Sequence, residues 1–187
     1  MKKRMEQQYK EPMKFKDIPQ FPFCPYSVNK PWQYIEIELE ELNERGELDL
    51  DPPFQRGHVW SEDKQIKYIE FCLRGGQSSR EIIFNHPNWM GSYKGQMVLV
   101  DGKQRLEAVR KFLRNELPVF NGYCVDDFED KEIMLRSSNC HFVFKINSLK
   151  TEVDIMNWYL DLNFGGVVHT EKELDKVKEL IKQHKKS

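Results

Sequence analysis

The stretch QMVLVDGKQRLEAVRKFLRNE, residues 96–116, leaves this chain few ways to fold. Met97 to Val100 is a run of strand-forming apolar residues, and Asp101-Gly102 is a turn signal. Leu106, Val109, Phe112 and Leu113 then recur at the three- and four-residue spacing of one helical face, over a helix expected from about Lys103 to Asn115. A strand that passes within two residues into an amphipathic helix must sit in a sheet, with the helix's apolar stripe laid across it. The expected class is therefore α+β.

The rest of the sequence supplies the other layers. Ser61 is a helix N-cap with Glu62 and Asp63 in the first turn, Ile66, Ile69, Cys72 and Leu73 form the stripe, and Gly75-Gly76 ends the helix. Strands are expected at Ile82–Asn85 and His141–Ile146, and a helix at Glu152–Leu160. Thr170-x-x-Glu173 forms a capping box for a last helix, which buries Leu174, Val177, Leu180 and Ile181. Upstream, a strand is expected near Tyr34–Ile37 and a short helix at about Leu39–Arg45, with Gly46 as its C-cap. Residues 1–33 interleave five prolines with Phe15, Ile18, Phe21, Phe23 and Tyr26, which reads as an extended arm packed on a domain of residues 34–187. A length of 187 residues suits a single domain of this kind.

Composition narrows the setting. No run approaches the roughly 18 apolar residues of a membrane span, and the cations at the amino end lead into Glu, Gln and Lys rather than an apolar segment. A cytoplasmic protein without membrane contact is expected. Cys24, Cys72, Cys124 and Cys140 show no Cys-x-x-Cys pair and no zinc-finger spacing, so reduced thiols are expected. The net charge of −1 argues against coating nucleic acid by global attraction. Local patches exist: Lys2, Lys3, Arg4, Lys10, Lys14 and Lys16 stand against Glu6 and Glu11 at one end, and KQHKKS closes the other. Solvated tails explain them as well as DNA contact does.

Three clusters carry candidate chemistry. Asp101-Gly102-Lys103-Gln104-Arg105 opens a helix, where unpaired N–H groups and two cations suit a phosphate, and Asp101 could hold Mg²⁺ or merely cap the helix. An ordinary solvated turn is the alternative, and the P-loop pattern is missing. Gln55-Arg56-Gly57-His58-Val59-Trp60 places a guanidinium after a rigid Pro-Pro; Trp60 is either a core anchor or a base-stacking platform, and His58 either structural or catalytic. Asn163-Phe164-Gly165-Gly166 could form a second anion nest with Asn163 meeting a metal or a nucleotide, or simply a turn before the last helix. The Gln-Arg dipeptide recurs at 55–56 and 104–105.

In this order, PPFQRGHVW, an amphipathic helix, LVDGKQRLEAVRKFL and YLDLNFGG with HTEKEL resemble the ParB-like domain that carries an Asp-Gly-Gln-Gln-Arg motif in the S portion of GmrSD-type modification-dependent restriction systems. The resemblance spans roughly residues 34–181, and Gly102-x-x-Arg105-x-x-Ala108 is similar to a phosphate-binding pattern of the wider ParB and sulfiredoxin superfamily. It implies a small mixed β-sheet flanked by helices, ParB/sulfiredoxin-like, that binds and hydrolyses a nucleoside triphosphate with Mg²⁺, in DNA restriction, defence or counter-defence. Lys103 departs from the family's usual glutamine, which keeps a phosphate partner but removes an acceptor. Only six residues follow Ile181, so such a domain is expected to act through a separate partner such as an HNH-type nuclease, to act alone as an NTPase, or to have become a binding or inhibitory protein.

On this resemblance Arg105 and the N–H groups after Gly102 hold phosphates, Lys103 neutralises their charge, and Asp101 positions the metal or water. Arg56 stabilises charge on the transferred phosphoryl group, Gln55 and Gln104 orient water, and Asn163 contacts metal or base. Two alternatives stay open: a non-enzymatic DNA-binding or regulatory protein on the same fold, and a Mg²⁺-dependent DNA nickase. An oligomer is compatible with each.

Overall fold

The computed structural model describes residues 13–22, 24–55, 60–164 and 171–184. Four strands, β1 (Tyr26–Pro31), β2 (Glu81–Asn85), β3 (Val98–Asp101) and β4 (His141–Asn147), form one sheet in the order β1-β4-β2-β3. The two outer pairings are antiparallel and the central β4–β2 pairing is parallel. Among the described residues there are six α-helices: α1 (Ile35–Gly46), α2 (Glu62–Leu73), α3 (Lys103–Leu113), α4 (Lys131–Arg136), α5 (Glu152–Phe164) and α6 (Glu171–His184). The α+β class with a small mixed sheet is thus the observed architecture.

Alternation along the strands sends side chains to two cores. Ile82, Phe84, Leu99, Phe142, Phe144 and Ile146 meet α1, α2 and α3 in the larger core, around Trp32, Ile69, Val109 and Phe112. Ile83 and Val100 point the other way and meet Ile155, Met156, Tyr159, Val177 and Ile181 of α5 and α6. The sheet is therefore sandwiched where β2 and β3 lie.

The amino-terminal third departs from expectation. Residues 34–37 are not a strand: Ile35, Leu39, Leu42 and Gly46 are buried at spacings of four, three and four, one face of α1. Gly46 is the last helical residue rather than the cap, and Glu47 takes the left-handed turn at φ 48°. Glycine is needed at 46 for a different reason, since a Cβ there would lie 2.8 Å from Cδ2 of His86. A strand that was not expected, β1, falls inside the stretch read as the arm. Pro31 ends it and Pro25 precedes it, which an edge strand tolerates because its outer N–H groups need no partner. Before it, Phe15 and Phe21 are 82% and 73% exposed, so these two rings do not pack on the body as expected, whereas Tyr26 does. The core closes on Trp32, Phe112 and Phe142 without those rings.

Arg80 knits the middle of the molecule. It is 3% exposed, and its guanidinium donates to the carbonyls of Cys72 and Gly76 at the end of α2 and of Asn139 and His141 at the start of β4. A cation is favoured there because the carboxyl end of a helix presents unpaired carbonyls and the negative end of its dipole. All four cysteines are free thiols; burial pushes Cys140 up to about 11, which suits an inert core residue. No helix of the described residues is long and apolar enough to cross a membrane.

His86 follows β2 and is fully buried. Its Nδ1 accepts the Asn88 N–H at 3.1 Å, while its buried Nε2 has no hydrogen-bond partner among the described residues. Burial, the larger cause, and Lys150 hold its pKa below the ordinary 6.5. The unfolded chain therefore gains a proton near pH 6.5 that the fold resists, so stability is complete above that value and declines as pH falls towards the depressed folded value. Urea midpoints measured between about pH 7.5 and 5.5 should fall in the wild type and fall less in His86→Asn; equal slopes would show that His86 is not responsible.

Candidate functional site

The junction of β3 and α3 is built around Gly102, whose φ is +102°. That conformation disfavours a side chain, and space forbids one as well. A Cβ would lie 2.7 Å from Cδ1 of Ile82, 3.0 Å from the Glu81 carbonyl oxygen and 3.2 Å from the Ile82 Cα. Two of these are β2 backbone atoms and cannot swing aside, so glycine lets the first turn of α3 lie against the neighbouring strand. A register shift between Ile83 and Phe84 sits beside it: Ile83 pairs with Asp101 and Phe84 with Leu99, leaving Val100 as the extra residue. Bulges of this kind re-aim the chain, here at the point where Asp101 leaves the sheet.

Gly102 offers no side-chain cap, so the N–H groups of the first turn of α3 lack the partner a Ser or Asp would give. The charges there run against the helix dipole. The first turn of α2 carries Glu62 and Asp63, as the dipole prefers, whereas that of α3 has no acid and carries Lys103 and Arg105. Each cation is held by an acid outside the helix, Asp101 just before it and Asp51 on another segment. Lys103 pairs with Asp51. Arg105 meets Asp101 at 2.6 Å and donates from Nε and Nη2 to the Glu81 carbonyl at 3.2 and 3.0 Å. Its side chain is only 17% exposed, and so it is well ordered at the mouth of the turn.

Segment 49–60 brackets this junction. Asp49 lies alongside Val98, with N–H to the Met97 carbonyl at 2.7 Å and its own carbonyl accepting from Leu99 at 2.9 Å. Gln55 Nε2 donates to the Leu99 carbonyl at 2.8 Å, and Gln104 Oε1 accepts the Trp60 N–H at 2.8 Å. The two glutamines expected to orient water thus each spend one amide atom tethering backbone, because a strand end and a helix start both present unpaired groups there. Among the described residues Gln55 Oε1 and Gln104 Nε2 make no further hydrogen bond. The Trp60 ring packs edge-on to Tyr68 at 5.4 Å with the Lys64 ammonium 4.7 Å from its centroid, the arrangement of a core anchor.

Of the expected site residues, the structure brings Asp101, Gly102, Lys103, Gln104, Arg105 and Gln55 to one junction. Arg56 and His58 lie outside the described residues, as do Gly165, Gly166, Thr170 and the side chain of Asn163. Gln55 and Trp60, which precede and follow the 56–59 stretch, are both bonded to the β3–α3 unit. Sequence reasoning missed Asp51, although an acid just before Pro-Pro is a fixed charge and was the available signal.

Among the described residues no group of three or more His, Cys, Asp or Glu could cage a metal. A resident metal cage is not what Mg²⁺ with a nucleotide requires: that ion takes one or two carboxylates and completes its shell with phosphate oxygens and water. The oxygen donor of the partly exposed Asp101 fits such a role. Compared with known proteins, the chain matches no family model, no curated protein and no solved structure.

Gly102→Ala should destabilise the fold by about 1–3 kcal/mol. Gly122→Ala is the comparison, because Gly122 has φ +128° but nothing within 4 Å of its Cβ position. Urea denaturation should show the larger loss at 102; equal losses would mean that backbone strain, and not the close approach to β2, accounts for the glycine.

Proposed function

We propose that this chain is a nucleoside-triphosphate-binding and hydrolysing domain of the ParB/sulfiredoxin kind, acting in DNA restriction, defence or counter-defence. The observation that carries the proposal is the inverted charge at the start of α3. Two cations stand on an uncapped helix N-terminus, a place where positive charge is disfavoured unless an anion belongs there. Local conflict of this sort is what functional sites produce.

Phosphate oxygens would take the N–H groups of Lys103, Gln104 and Arg105, which no cap side chain holds, with the Lys103 ammonium and the Arg105 guanidinium neutralising their charge. Arg105 is suited to a fixed, directional contact because the Glu81 carbonyl already holds its plane. Asp101 would hold Mg²⁺, which supplies charge neutralisation on the phosphates. The unspent amide atoms of Gln55 and Gln104 would orient an attacking water. Arg56 would stabilise charge on the transferred group and Asn163 would contact metal or base. A separate HNH-type nuclease is the partner this role calls for, with DNA as the eventual substrate of the pair.

Calorimetry with ATP, GTP, CTP and UTP, each with Mg²⁺, tests the proposal. At least one should bind, and Lys103→Ala should weaken it about tenfold, the loss of roughly one charge-assisted contact. Absence of binding to all four overturns it.

A further inference from the structure

The two cations of the candidate site are already satisfied before any phosphate arrives, and they are satisfied differently. Arg105 is tied to Asp101, just before the helix, and to the Glu81 carbonyl, so it keeps its position with or without a ligand. Lys103 is paired with Asp51, a residue fifty-two positions away on a different segment. Asp51 is not on a loose loop. Its N–H donates to Asp49 Oδ1 at 2.8 Å, Pro52 and Pro53 follow it, and Gln55 N–H closes the turn on the Pro52 carbonyl at 2.9 Å. Asp49 before it and Gln55 after it are both bonded to β3. The carboxylate is therefore fixed beside the α3 start by the same strand that carries Asp101.

Geometry of this kind makes Asp51 a competitor for the anion's own counter-charge. We propose that the Asp51–Lys103 pair is an autoinhibitory latch on the phosphate site, an inference that rests on the phosphate reading given above. A polyphosphate entering at the first turn of α3 must draw Lys103 away from Asp51, and the anchored carboxylate then stays nearby as a repelling charge. The latch sets a threshold: a single phosphate displaces it poorly, whereas a triphosphate, with more charge to offer Lys103, opens it. It also discriminates against weakly charged anions, because exposed pairs are worth little individually and a large anionic charge overcomes them. The Lys103 side chain is 31% exposed and that of Asp51 56%, so the pair is wet enough to open.

The test uses the full chain and inorganic tripolyphosphate as the probe, titrated by calorimetry with and without Mg²⁺. Asp51→Asn keeps the shape of the side chain while removing its charge, and it should bind tripolyphosphate about three- to tenfold more tightly than the wild type. Inorganic phosphate should gain proportionally more than tripolyphosphate. Glu132→Gln removes a charge from the Arg136 pair on α4, outside this junction. It should leave the affinity unchanged. Equal tightening in Glu132→Gln and Asp51→Asn would assign the effect to net charge and overturn the latch. Unchanged or weaker binding in Asp51→Asn, especially weakening confined to the Mg²⁺ titration as a metal ligand would give, also overturns it. If neither wild type nor Asp51→Asn binds tripolyphosphate while both remain folded, the phosphate reading itself falls, which is a different result from binding that Asp51 does not influence.

Discussion

The approach of the α3 first turn to the backbone of β2 is the constraint on which the rest depends. Everything at the junction is a consequence of having no side chain at 102: the helix starts against the strand, Arg105 reaches the Glu81 carbonyl, and Asp101 is released from the sheet within one turn of the arginine it pairs with. The bulge at Val100 adds to this by turning the chain one residue early. A strand, a helix start and a pair of opposite charges are thereby fixed to one another, and the loop carrying Asp51 and Gln55 is fastened to the same strand.

Electrostatically the junction is a balanced cluster rather than a bare basic patch. Placing Lys103 and Arg105 at the positive end of a dipole costs free energy, and Asp51 and Asp101 offset it. Structural ion pairs in proteins are usually placed where the dipole helps them, as in the first turn of α2 and in the capping of that helix's far end by Arg80. α3 alone of these reverses the preference. That reversal is the feature on which the nucleotide proposal rests.

Legibility followed physical cause. α2 and α3 were readable because caps, glycines and a 3.6-residue stripe all agreed, and β2 and β4 because apolar runs were bounded by turn residues. β1 was hidden by prolines at 25 and 31, which break a central strand but suit an edge, and no sequence window tells an edge from a centre. α1 was misread at its start because Tyr34 to Ile37 alternates like a strand, and only burial of Trp32 and Ile35 decides between periods. At the site, the motif residues were found by type and order. Their partners were not, since Asp51 with Lys103 and Glu81 with Arg105 are long-range pairings set by the fold. The tethering duties of Gln55 and Gln104 were likewise invisible, because an amide looks the same whether it meets water or backbone.

The most direct measurement of the central claim is a tripolyphosphate titration followed by the amide resonances of uniformly ¹⁵N-labelled protein. The account predicts that the backbone amides of Lys103, Gln104 and Arg105 move first and furthest, saturating together, because the anion bonds to those N–H groups. Shifts that instead gather on other basic surface, such as Lys67 and Arg74 along α2, with residues 102–105 unmoved at saturation, would contradict it.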